Sequence, residues 1–91
     1  MTRVPEHVRK THSEDGAIVL DVMHGRMFTL NLVGSKILEL LEHQYTTAQI
    51  AEELSREFGI TADVASRDVA EFLGTLERHR LIETNPSRIA P

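Results

Sequence analysis

The segment from residue 15 to residue 41 constrains the fold most, because it alternates twice with a period of two and then changes to a helical period. Residues 17–23 place two sets of side chains on opposite faces of an extended chain, one set being Ile18, Leu20 and Val22 and the other Ala17, Val19 and Asp21. This alternation predicts a strand with one well-buried face. Residues 26–30 alternate again, and His24 with Gly25 between the two segments predicts the turn of a β-hairpin.

The second strand of this hairpin separates two pairs of side chains, Phe28 and Leu30 on one side and Met27 and Thr29 on the other. A short first strand is predicted at 8–11. The turn after it is predicted at 14–16, where Gly16 tolerates a positive φ. The three segments together predict a three-stranded antiparallel meander.

Three helices are predicted after the meander, each with its own start signal. Asn31 is the expected N-cap of a helix that runs to about residue 43, and Thr46 with Gln49 predicts a capping box for a second helix. Gly59 is expected to end the second helix, and Thr61 to cap a third. The apolar faces of the three helices are, in order, Val33, Ile37, Leu40 and Leu41, then Ile50, Ala51, Leu54 and Phe58, then Ala65, Val69, Phe72, Leu73 and Leu76. Strands followed by helices predict an α+β domain with the helices on one side of the sheet.

The length of 91 residues predicts one domain that spans residues 1–91, with flexible segments at 1–6 and 84–91. The chain has no cysteine, which excludes disulfides and thiolate chemistry. Its start lacks the apolar core of a signal peptide, and no apolar run is long enough for a membrane span. We therefore expect a cytoplasmic protein without membrane association, and the sequence leaves the oligomeric state open.

The charge of the chain disfavours nucleic acid as a partner. The formal net charge is −4, and the basic residues are scattered. The third helix carries both signs, with Arg67, Arg78 and Arg80 against Asp63, Asp68, Glu71 and Glu77. Because phosphate contacts supply most of the affinity for DNA, a winged-helix DNA-binding transcriptional regulator is the weaker alternative.

No set of residues predicts catalysis or a bound cofactor. None of the serines lies in a nucleophile elbow, and no histidine pair has the spacing of a zinc site on a helix. His7, His12 and His24 would form a composite metal site only if their strands brought them together, and solvated histidines are the preferred interpretation. We expect no catalytic residue, no metal and no cofactor.

A small sheet with a free edge beside a helix is a place where a peptide can dock by adding a strand. On the third helix Asp68 and Glu71 share a face, which is either a solvated acidic surface or an acidic rim beside a peptide groove. Phe72 and Leu73 point about 100° apart and cannot both face the same layer, so one of them is expected to line that groove. Met27, exposed on the last strand, would add a flexible apolar contact.

Five segments carry a resemblance to a known family. They are residues 15–22 (DGAIVLDV), 25–31 (GRMFTLN), 34–41 (GSKILELL), 50–54 (IAEEL) and 68–73 (DVAEFL). In this register the chain resembles the PqqD family, which is named for a small protein of pyrroloquinoline quinone biosynthesis. The resemblance spans about residues 15–82, and the Leu-Asn-x-x-Gly-Ser stretch is closer to stand-alone members, including those of lasso-peptide clusters.

The resemblance implies a RiPP recognition element, which binds the leader segment of a ribosomally made precursor peptide and delivers it to a peptide-modifying enzyme or leader protease. It implies a winged-helix-like fold in which the leader adds as a strand beside the third strand, in the groove against the third helix. The peptide-binding positions implied here are Arg26, Met27, Phe28, Thr29, Leu30, Asp68, Val69, Glu71, Phe72 and Leu76. Whether the pathway makes a quinone cofactor, a lasso peptide or another product stays open.

Overall fold

The computed structural model describes residues 2–84 of the chain. Five strands and three helices follow one another in it: β1 (Thr2–Arg3), β2 (Val8–Ser13), β3 (Gly16–Asp21), β4 (Arg26–Leu30), α1 (Leu32–Glu42), α2 (Thr47–Phe58), α3 (Ala62–Arg78) and β5 (Glu83–Thr84). The main sheet has the order β2-β3-β4, with both neighbouring pairs antiparallel. The predicted meander followed by three helices, and with it the α+β class, is confirmed.

A second, two-stranded sheet joins the two ends of the described chain. Thr2 lies opposite Thr84 and Arg3 opposite Glu83 in an antiparallel pair. The sequence analysis did not predict these strands; it assigned residues 1–6 and 84–91 to flexible segments, which include all of β1 and Thr84 of β5. Met1 and residues 85–91, which include most of the predicted C-terminal tail, lie outside the described residues.

The helix boundaries follow the predicted capping residues. The side chain of Asn31 accepts a hydrogen bond from the Gly34 amide at 2.8 Å. Both bonds of the Thr46 capping box are present, and Gly59 ends α2 with a φ of +68°. Thr61 caps α3. Each signal involves groups within a few residues of each other, which is why the sequence predicts it well.

One hydrophobic core lies between the helices and the inner face of the sheet. Its largest fully buried side chains are Val19, Ile37, Leu38, Ile50, Leu54, Val69 and Leu76. Leu81 and Ile82 pack back on this core after α3, as predicted. Phe72 and Leu73 are only partly buried against it, on either side of α3.

The inner face of β3 is the less hydrophobic of its two faces. Ala17, Val19 and Asp21 are buried, whereas Ile18 and Leu20 are 39% and 40% exposed on the outer face. The reason is the register with β4, because the inner set faces Phe28 and Leu30 under the helices. Asp21 tolerates this position since its carboxylate is fully paired, as described below.

Candidate functional site

The outer edge of β4 carries backbone groups that no described strand bonds. In the sheet, β4 pairs with β3 and has no strand on its other side within residues 2–84. The Val22 amide donates a hydrogen bond to the His7 carbonyl at 3.0 Å. This pair continues the register of the β2–β3 ladder one residue beyond Val8 and Asp21. Hydrogen-bonded pairs alternate along an antiparallel ladder, so residues 16, 18 and 20 bond toward β2, and 17, 19 and 21 bond toward β4.

This alternation fixes which groups of β4 point outward. Ala17, Val19 and Asp21 lie opposite Leu30, Phe28 and Arg26. These three residues of β4 therefore bond β3, whereas Met27 and Thr29 direct their N–H and C=O groups to the open side. The β4 edge thus offers two donors and two acceptors to an added strand.

A groove of about 370 Å³ lies between the start of α1 and the exposed face of α3. It is lined by Asn31, Val33, Gly34, Ile37, Asp68, Glu71, Phe72 and Thr75. Val33, Ile37 and Phe72 make the floor apolar, and the two carboxylates of α3 stand at its rim. We call this cavity the α1–α3 groove. It begins where β4 ends, since Asn31 directly follows the strand.

Gly34 lets α1 and α3 approach closely at this groove. A methyl group on Gly34 would lie 3.1 Å from Cε1 and 3.2 Å from Cζ of the Phe72 ring. The ring is therefore held against the first turn of α1. On α3, the Thr75 hydroxyl donates to the Glu71 carbonyl at 3.1 Å and accepts from Arg78 at 3.2 Å.

A polar cluster closes the other end of β4. The buried Asp21 carboxylate accepts from Arg26 Nη2 at 2.8 Å and from the His24 amide at 3.1 Å, and it lies 2.8 Å from His24 Nδ1. The Arg26 guanidinium beside Asp21 holds the pKa of that carboxyl well below its usual range, against the opposing effect of burial. Arg26 Nη2 also donates to the His79 carbonyl at the end of α3, at 2.8 Å.

The predicted site residues divide into four groups, and Thr29 belongs with Met27 on the exposed outer face of the sheet. Asp68, Glu71 and Phe72 line the α1–α3 groove, as proposed for an acidic rim and one inward aromatic ring. Met27 is 66% exposed but shares the outer face of the sheet with Leu20, its ladder partner, so its side chain points away from the helices. Arg26 and Phe28 are half-buried in the polar cluster.

The remaining predicted residues lie in the core. Leu30 is buried under the helices, and Val69 and Leu76 are each 1% exposed. Their side chains therefore offer little surface to a peptide beside β4, and Val69 lines a groove between α2 and α3 rather than the α1–α3 groove. Leu73, the alternative to Phe72, lines the same groove between α2 and α3, which has a volume of about 300 Å³.

The sequence analysis missed the α1 side of the groove. Val33 and Ile37 were assigned to the core stripe of α1, and Asn31 only to capping, yet all three line the cavity with Gly34. His79 was missed as the partner of Arg26. A glycine in the first turn of a helix was the available signal, since it marks a close approach of another element.

His7, His12 and His24 do not come together as the three ligands of a metal site. The rings of His7 and His24 are 6.2 Å apart, but His12 lies at the far end of β2, opposite Ala17. Residues 2–84 hold no group of three or more metal-ligating side chains.

None of the helices in these residues has the length and apolar character needed to cross a membrane.

A small antiparallel sheet with a free edge beside a helix defines a class of domain that can accept an added strand. The family model described as coenzyme PQQ synthesis protein D (PqqD) matches residues 16–82. The chain therefore belongs to the PqqD family. A comparison with curated protein sequences gives no match.

Solved structures of similar fold include two complexes and one free domain. TbiB1 in complex with the TbiA(beta) leader peptide is 28% identical, with a TM-score of 0.83 over 91% of this chain and 96% of that one. The PqqD truncation of Methylobacterium extorquens PqqCD, described as a stand-alone RiPP recognition element, is 25% identical, with a TM-score of 0.75 over 91% and 88%. Lasso peptide synthetase B1 with its leader peptide shares the fold at 22% identity, with a TM-score of 0.84 over 91% and 98%.

Proposed function

We propose that this protein binds the leader segment of a ribosomally synthesised precursor peptide and presents it to a modifying or processing enzyme. The leader adds as a strand to the open edge of β4 and places side chains in the α1–α3 groove. The protein itself catalyses no step and acts in the cytoplasm. The observation that carries the proposal is the pair of outward backbone positions, Met27 and Thr29, on a strand that ends at this groove.

Two further observations support a peptide rather than DNA. TbiB1, which is 28% identical over nearly the whole chain, was solved with a leader peptide. The charged residues that line the groove are Asp68, which is half-buried, and Glu71, which is exposed, and both would repel phosphate. The winged-helix DNA-binding alternative would instead need a cationic face on this helix.

Proline substitution tests the edge directly. Thr29→Pro removes an outward amide without removing a bond to β3, and we expect the affinity for a labelled synthetic leader to fall about tenfold or more. A precursor gene sought in the neighbourhood of this chain's gene supplies the leader sequence, and binding is followed by fluorescence polarisation. Circular dichroism and thermal unfolding establish that the variant is folded.

His12→Pro is the matched control. His12 is exposed on β2, and its amide points away from β3 by the same alternation, at the opposite edge of the sheet. We expect His12→Pro to keep the affinity for the leader. Equal affinities of wild type and folded Thr29→Pro would contradict strand addition at β4, and binding of duplex DNA with a steep salt dependence would favour the alternative.

A further inference from the structure

Arg26 occupies the position where the free strand meets the far end of the neighbouring helix. Its Nη2 atom lies 2.8 Å from Asp21 Oδ2 on β3 and 2.8 Å from the carbonyl oxygen of His79, the C-cap of α3. One guanidinium nitrogen therefore connects the hairpin to α3 across 53 positions of sequence. A cation at this place also interacts favourably with the carbonyl end of the helix.

Aromatic contacts reinforce the same connection. The Arg26 guanidinium lies 5.3 Å from the centre of the Phe28 ring, and that ring lies 5.0 Å from the ring of His79. Arg26 Nε is buried and has no hydrogen-bond partner among the described residues. The Arg26 side chain as a whole is 40% exposed, but its Nη2 reaches the fully buried Asp21 carboxylate, where a hydrogen bond is stronger than at an open surface.

The other attachment of α3 beside the strand is at Phe72. Its ring lies against Gly34 in the first turn of α1, directly after β4 and Asn31. From Phe72 to His79 the helix rises about 10 Å. From Arg26 to Leu30 the strand extends about 14 Å. The two attachments therefore fall near the two ends of β4, and the outward groups of Met27 and Thr29 lie between them.

We propose that Arg26 is a positioning residue for peptide binding: it fixes the C-terminal end of α3 relative to β4 and so sets the width of the gap that receives the added strand. This inference rests on the proposed function and deepens it. The family resemblance assigned Arg26 to direct peptide contact, whereas its Nη2 donors are committed to Asp21 and His79. A gap that is fixed before binding spares the peptide the cost of ordering the helix.

The test compares Arg26→Gln with Asp21→Asn. Asp21 is fully buried and cannot touch a peptide, so both substitutions lower leader affinity only if Arg26 acts through its position. We expect each to weaken binding of the labelled leader about five- to tenfold. The double variant should lose little more than either single variant, because both disrupt one connection.

A second measurement follows the helix without any ligand. Amide hydrogen exchange of the free protein should speed up at residues 76–80 in Arg26→Gln, while α2 keeps its protection. Arg26→Lys keeps the charge and a single donor nitrogen, and it should restore part of both the affinity and the protection. This readout remains usable if Asp21→Asn does not fold.

Ile50→Val is the control for general loss of stability. Ile50 is fully buried on α2, so the substitution should lower the melting temperature and leave leader affinity unchanged. Reduced affinity in Arg26→Gln with wild-type affinity in folded Asp21→Asn would indicate direct contact and overturn the inference. Unchanged exchange at 76–80 in Arg26→Gln would also overturn it. Failure of the wild type to bind any leader would instead contradict the proposed function.

Discussion

Gly16 and Gly25, the glycines of the two hairpins, are needed for different structural reasons. Replacing each with alanine should therefore lower the free energy of unfolding by a different amount. Gly16 has a φ of +146°, and a methyl group there would collide with the carbonyl oxygen of Leu30. Gly25 has a φ of +64° and open space around it. We expect Gly16→Ala to lower the free energy of unfolding by about 2–4 kcal/mol and Gly25→Ala by about 1–2 kcal/mol. Urea unfolding measures both, and equal losses would contradict the assigned contact.

The ionisation of Asp21 makes the folding stability of the protein depend on pH in the acidic range. Its pKa is lowered in the folded state, first by the bond from Arg26 and further by His24, so its contribution is complete above the unfolded pKa of about 3.9. That contribution is lost progressively as the pH falls below about 4 toward the folded pKa. We therefore expect the stability difference between wild type and Asp21→Asn to shrink as the pH is lowered from 5 to about 2. A difference that stays constant over this range would contradict the assigned ionisation.

At the scale of the elements, α3 presents a charged rim to the α1–α3 groove. If the rim selects the peptide, a leader with Lys or Arg near the end of its added strand is favoured. Asp68→Lys with Glu71→Lys should weaken leader binding at low salt, by about 1 kcal/mol or less per charge, and matter little at high salt. Titrations at about 20 mM and about 500 mM salt measure the effect, because interactions between exposed charges are weakly screened at the lower salt concentration and strongly screened at the higher one.

Glu14→Lys with Glu52→Lys is the matched control for this charge reversal. Both residues are exposed and lie outside the groove, and the change in net charge is the same. An equal loss of affinity in the rim and control variants would indicate a long-range effect of net charge. An equal loss at both salt concentrations would indicate damage to the groove.

The elements differ in how far the sequence predicts them. Asn31, Thr46 and Gly59 act on groups a few residues away, so they place the helix ends correctly. The β1–β5 pair carries no such signal, because two-residue strands have no periodicity and their partners are about 80 positions apart. The faces of β3 show a third case: the more hydrophobic face lies outward, and burial of Asp21 on the inner face is tolerated because its carboxylate pairs with Arg26 across the ladder.

The candidate site was also predictable only in part, because some of its contacts join residues that lie far apart in the sequence. The open edge and the α3 side of the groove follow from alternation and helical spacing. The α1 side does not, because Val33 and Ile37 serve the core and the groove at once. The resemblance assigned Arg26 to peptide contact, and its bond to the His79 carbonyl joins residues 53 positions apart, which no local pattern in the sequence indicates.

At the scale of the whole molecule, the proposed role predicts that the protein delivers the precursor peptide to an enzyme without modifying the peptide itself. Incubation of the precursor peptide with this protein alone should give no mass shift in mass spectrometry. With the cognate enzyme present, modification should be fast when this protein is included and slow when it is left out. The physical reason is effective concentration, since a carrier that holds the leader and touches the enzyme converts a bimolecular encounter into a local one.

Thr29→Pro and His12→Pro extend this experiment to the β4 edge. Folded Thr29→Pro should support modification only at high protein concentration, where weakened leader binding is again saturated, whereas His12→Pro should match the wild type throughout. This concentration dependence separates a loss of leader binding from a loss of enzyme contact, because the latter would not recover at saturation of the leader. If the enzyme works equally well without the protein, delivery is excluded even where leader binding is measured.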